Sequence, residues 1–194
     1  MRQVFVQTAA LAAAIWFAPL ALGQLALGQQ DDALMDPATD PGAAPQAEIR
    51  AEHQDWVVRC QPAPEDAFGA GESCEMYQQV SEQESGQTVL ETVIGFPPGA
   101  DQPVALFNLP LGMLLPPGVE LQVGDNEPIR FAVQLCVQSG CRADIVLEPE
   151  LVEQMRAGSE ATLTIVDPQG QDVELPLSLM GFSASLDDVA ASLD

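Results

Sequence analysis

The chain of 194 residues has no lysine, and its six basic residues are all arginine, set against 29 acids for a formal net charge of -23. A protein that neutralises nucleic-acid phosphates needs basic surface, so that class is excluded, as is a polybasic membrane-surface protein. Imidazole is nearly absent as well: His53 is the single histidine. A Ser-His-Asp arrangement would have to use it, yet no G-x-S-x-G occurs. Other fingerprints are missing too. There is no C-x-x-C, no P-loop, no Rossmann glycine pattern and no D-x-[DN]-x-[DN]-G calcium loop. Aromatics make up only 5% of the chain. Hydrophobic residues reach 47%, too many for a disordered acidic tail.

What is present begins with an address. Residues 1–28 carry no acid and one base, Arg2, ahead of an apolar run from Val4 to Leu22 broken only by Gln7 and Thr8. Ala21-Leu22-Gly23 and Ala26-Leu27-Gly28 both have the small-x-small form that a signal peptidase reads. The expectation is a signal peptide over 1–23, with a second cleavage junction after Gly28. The run approaches the ~20 residues of a membrane span, so a retained N-terminal anchor is the alternative. Residues 24–50, rich in Asp, Pro and Ala and without apolar period, read as a disordered acidic linker. The folded domain is expected over 51–194.

Export to an oxidising space makes disulfides the default for the four cysteines, Cys60, Cys74, Cys136 and Cys141. Three pairings are open. Cys60–Cys74 and Cys136–Cys141 are favoured because each pair brackets a turn-like segment: Pro62, Pro64, Gly69 and Gly71 in the first, Val137-Gln138-Ser139-Gly140 in the second. With no histidine near either pair, the expectation is structural staples, no metal and no cofactor.

Along the domain, period two dominates. Trp56 and Val58 alternate with polar or opposite-facing neighbours. Cys74, Met76 and Val80 share a face opposite Glu75, Tyr77 and Gln79. Thr88 to Ile94 and Val104 to Leu109 are β-rich, and Val119, Leu121 and Val123 alternate with Glu120 and Gln122. Ile129, Phe131, Val133, Leu135 and Val137 form the longest single-face stripe. Ala143 to Leu147, Ala161 to Ile165 and Val173 to Leu179 follow, the last two joined by the turn Asp167-Pro168-Gln169-Gly170. Eight or nine short strands with Gly/Pro punctuation predict a mostly β fold, an antiparallel sandwich or barrel, with Pro176 on an edge or at a bulge. Two helices interrupt it. One runs near 149–157, with Pro149 in its first turn, Leu151, Val152 and Met155 on one face, and Gly158 as its stop. The other lies near 185–193, with Ser185 and Asp188 at capping-box spacing and Phe182 anchoring it.

His53 reads as a solvated residue beside the linker, Asp125-Asn126-Glu127 as a turn tip, and Trp56, Tyr77, Phe96 and Phe107 as core. No catalytic residue emerges, and no ligand-binding residue can be named.

Several pieces together resemble the invasion-associated locus B family of bacterial exported proteins. They are Trp56-Val57-Val58-Arg59-Cys60; Cys74-Glu75-Met76 with Gln78 following; Leu109-Pro110-Leu111-Gly112 and then Gly118-Val119-Glu120-Leu121; Phe131 leading to Cys136 and Gly140-Cys141; and Leu177-Ser178-Leu179 with Gly181-Phe182. The resemblance covers Asp55 to Leu193. It implies an immunoglobulin-like antiparallel β-sandwich in the periplasm or secreted to the outer envelope, with the family's association with host-cell invasion, and it implies no catalytic residue. The expected function is an exported, disulfide-stapled, non-catalytic binding or envelope-accessory protein whose partner is an unidentified envelope or host protein, with membrane contact only through an uncleaved leader. An envelope hydrolase using acidic residues is the rival, alongside the anchored structural protein.

Overall fold

The computed structural model describes residues 47–62 and 72–193. The leader, and the linker up to Gln46, lie outside the described residues. Eleven strands and two helices follow in the order β1 (Glu48–His53), β2 (Trp56–Pro62), β3 (Glu72–Ser81), β4 (Thr88–Gly95), β5 (Val104–Leu109), β6 (Val119–Val123), β7 (Ile129–Phe131), β8 (Val133–Val137), β9 (Gly140–Val146), α1 (Pro149–Ala157), β10 (Glu160–Val166), β11 (Asp172–Ser178) and α2 (Phe182–Ala191).

These strands form two antiparallel sheets, β1-β2-β3-β4-β5-β9-β8 and β11-β10-β6-β7. Alternation drives the layering. In β4, Leu90, Thr92 and Ile94 point inward, and in β6 Val119, Leu121 and Val123 do so. Both sheets contribute to one buried cluster, with Trp56, Met76 and Phe107 from the first and Leu121, Leu163 and Leu177 from the second. The layers are those of the expected sandwich. The first five strands of the large sheet are sequential neighbours, a meander of antiparallel pairs.

Two strands exceed the sequence reading. Glu48, Ile49 and Arg50, expected in the linker, pair with β2 as part of β1. The stripe from Ile129 to Val137 is not one strand. It breaks at Ala132, where the chain leaves the small sheet and enters the large one. Only part of the stripe reaches the core: Phe131 and Val133 pack against it, while Leu135 is 49% and Val137 56% exposed. Period two identified the shared face, but it does not say how far along that face the opposite sheet extends.

Helix α1 occupies the residues expected, with Leu151 and Met155 buried and Pro149 in its first turn. Gly158 ends it in extended backbone rather than the left-handed cap. The space there is tight: a Cβ would meet Leu179 Cδ1 at 3.1 Å and Val123 Cγ1 at 3.2 Å, so those side chains would have to give by a few tenths of an ångström. Helix α2 starts earlier than the capping-box reading placed it. Gly181, at φ +92°, is its N-cap, and Ser185 is buried inside the helix rather than capping it. The left-handed glycine sets the entry point and brings Phe182 into the first turn. Pro176 lies on β11, an edge strand, where a missing donor costs no ladder bond.

Candidate functional site

Both cysteine pairs are closed in the favoured pairing. Cys60 and Cys74 stand opposite each other on β2 and β3, and Cys136 and Cys141 on β8 and β9, with Cα–Cα distances of 4.1 and 4.0 Å. Each bridge therefore ties neighbouring strands of the large sheet and does not cross between layers. Among the described residues, the grouping closest to a metal-ligand set is Cys60, Glu72 and Cys74. Its two sulfurs are bonded to each other and offer no thiolate, and Glu72 pairs with Arg50.

His53 is not freely solvated. Its Nε2 lies 2.7 Å from Asp188 Oδ2, so β1 is tied to α2. A second tie was invisible in the sequence. Gln78 sits on the buried face of β3 at 6% exposure. Its amide donates to the Ser178 carbonyl at 3.1 Å and to the Asp55 carbonyl at 3.3 Å, and its oxygen accepts from the Ser178 N–H at 2.9 Å. Trp56 Nε1 donates to the same Ser178 carbonyl at 2.9 Å. One buried amide thus satisfies the chain where it leaves β11, and it joins the two sheets. Asp125-Asn126-Glu127 forms the turn expected, with Asn126 Nδ2 donating to the Val123 carbonyl at 2.8 Å.

Of the four aromatics read as core, Trp56 and Phe107 are fully buried and Phe96 packs against the core. Tyr77 is the exception. It lies on the outer face of the large sheet, where no second layer covers it among the described residues. Register aligns Val57, Tyr77, Val93, Leu106 and Asp144 across five strands of that face. The next row is Gln79, Glu91, Asn108 and Arg142, ending at Leu135. The Tyr77 hydroxyl donates to Glu91 Oε1 at 2.8 Å, and Asn108 Nδ2 donates to Glu91 Oε2 at 3.4 Å. On the other side, Arg59 lies 4.3 Å over the Tyr77 ring and bonds Glu75 at 2.6 Å. Burial, then the bond to Glu91 and the charge of Glu91, push the Tyr77 phenol up to about 12, against the opposing pull of Arg59. It therefore stays a neutral hydrogen-bond donor at physiological pH.

The face runs into a cleft of about 340 Å³ lined by Thr88, Glu91, Asn108, Pro110, Leu111, Gln138 and Ser139 among others. A half-buried aromatic, a carboxylate, amides and an arginine on one rigid sheet can hold a polar partner through hydrogen bonds. The sequence did carry one signal of this face. Val89, Val93 and Leu106 occupy positions where an ordinary solvated sheet face would be polar.

A family model described as Invasion associated locus B (IalB) protein matches residues 56–190. The crystal structure of invasion associated protein b from Bartonella henselae is similar in fold, with a TM-score of 0.62 and 23% sequence identity, over 75% of this chain and 96% of that one. No curated protein matches the chain. The family match takes in every strand from β2 onward and nearly all of α2, and it includes all four bridged cysteines. The chain belongs to the invasion associated locus B family.

Proposed function

We propose that the protein is an exported, non-catalytic binding or envelope-accessory module, working in the periplasm or outside the cell, and that the outer face around Tyr77 meets its partner. The observation that carries this reading is how the reactive side chains are employed. The single imidazole is tied to Asp188, the buried amide of Gln78 joins the sheets, and all four cysteines are bridged. What faces outward on a rigid layer is Tyr77 with Glu91, Asn108 and Arg59. Two disulfides support an oxidising compartment, and the N-terminal leader motif supports export. The family's name supports a role in host-cell interaction for pathogenic members, with an envelope or host protein as partner.

The test is expression of the full chain in a Gram-negative host, followed by fractionation and thiol alkylation. The expected product is a periplasmic or secreted protein shortened at Gly23 or Gly28 with no free thiol. A cytoplasmic protein with reduced cysteines would overturn the export reading. Cross-linking from intact envelope is expected to capture a partner with wild type and to lose it with Tyr77→Ala.

A further inference from the structure

Among the described residues, four strands lie at sheet edges: β1 and β8 in the large sheet, β11 and β7 in the small one. Exposed edges offer free backbone donors and acceptors, and proteins commonly guard them with charge, proline, bulges or shortness. Three of these edges are guarded. β1 carries Glu48, Arg50 and Glu52 and a bulge between Ile49 and Ala51. β11 carries Asp172, Glu174 and Pro176. β7 is three residues long, contains Arg130 and follows Pro128.

β8 differs from all three. From Phe131 to Cys141 there is no ionisable side chain and no proline. Its bulge lies at the start, between Val133 and Leu135, and Leu135, Cys136 and Val137 then run in regular register against Arg142, Cys141 and Gly140. The Cys136–Cys141 bridge clamps that register, so the strand is ordered before any partner arrives. Leu135 and Val137 are half exposed, and Leu111 borders the same hairpin tip across the cleft. Among the described residues, no turn or loop donates a backbone hydrogen bond to β8 or accepts one from it.

We propose that β8 pairs antiparallel with β8 of a second copy, about a two-fold axis near Cys136, joining two large sheets into one. Charge selects a second copy as the occupant. In a chain of net charge -23, copies meeting at β11 would set acids against acids. At β8 they meet no like charge, and the nearest ionisable residues on β9, Arg142 and Asp144, are of opposite sign. A two-fold contact also needs a patch that matches itself, as a short uncharged strand flanked by Leu135 and Val137 does. The pairing does not depend on the export reading, and its short length makes the dimer weak.

The experiment is light scattering on size-exclusion fractions of the full protein over a concentration series at low and high salt, with hydrogen exchange of the β8 amides. The expected result is an apparent mass rising toward about twice that of the monomer, more readily in high salt, which screens the acidic surfaces. Amides of Leu135 to Val137 should gain protection with the mass. Leu135→Lys should keep the wild-type circular dichroism and stay monomeric, while Val173→Lys on β11 still dimerises. A wild-type monomer at the highest soluble concentration, or a dimer that survives Leu135→Lys, overturns the proposal. So does protection of β8 that appears only when envelope extract supplies a foreign strand. If Leu135→Lys does not fold, the concentration dependence of exchange in the wild type decides alone.

Discussion

Gly181 and His53 are in backbone contact: a Cβ on Gly181 would stand 1.9 Å from the His53 carbonyl oxygen. Gly181 also holds φ +92°, which side chains rarely adopt. The glycine lets the β1–β2 hairpin close onto the start of α2, beside the His53–Asp188 tie. Gly181→Ala is expected to lower stability by about 2–4 kcal/mol, combining backbone strain with overpacking. The denaturant midpoint measures this, and an unchanged midpoint would show that the hairpin can back away at little cost.

Phe182, the first residue of α2, is fully buried, with its ring edge-on to Trp56 at a centroid distance of 5.9 Å. Removing the ring leaves a cavity between the helix and the large sheet. Phe182→Ala is expected to cost about 3–5 kcal/mol. Thermal unfolding checks it, and a loss under ~1 kcal/mol would mean that α2 contributes little to the core.

The two bridges close loops of different length, with sequence separations of 14 and 5. In the chain-entropy account, replacing Cys60 and Cys74 together by serine should cost about 3 kcal/mol, and replacing Cys136 and Cys141 about 2 kcal/mol. Urea unfolding of the two double variants tests the order. The reverse ranking would show that native-state packing around the sulfurs, not loop length, sets their value.

Tyr77 is the only tyrosine, so phenolate absorbance in the near ultraviolet reports it alone. Its midpoint is expected at about 12 in the folded protein. The phenol holds its proton more tightly folded than unfolded. Its contribution to stability is therefore full below the ordinary tyrosine pKa of about 10 and is lost as pH rises through about 12. Glu91→Gln should bring the midpoint down without restoring the ordinary value, since burial is the larger cause. A folded wild type titrating near 10 would break this account.

The cysteine pairing, α1, the Asp167 turn and most strands were legible because they depend on local rules. Asp167 Oδ1, for instance, accepts from the N–H groups of Gln169 and Gln171, both at 2.8 Å, and needs nothing distant. Gln78 was not legible. Its neighbours Met76 and Val80 mark the buried face, and a polar residue there looks like an interruption until Ser178, a hundred residues away, supplies both its partners. Tyr77 looked like core for the opposite reason: an aromatic in a strand is counted as inward unless the layer above that face is known to be missing.

Local patterning sets the alternation that makes strands, the turns that end them, the acids that keep the surface solvated and the cysteines that staple neighbours. Each of these follows from residues within one turn or one hairpin of each other. Long-range pairing sets which strands lie at edges, which sheet face stays uncovered among the described residues, and that the apolar stripe from Ile129 to Val137 splits between two sheets. Period two places a side chain on a face. Whether that face meets a second layer or solvent depends on strands far away in the chain.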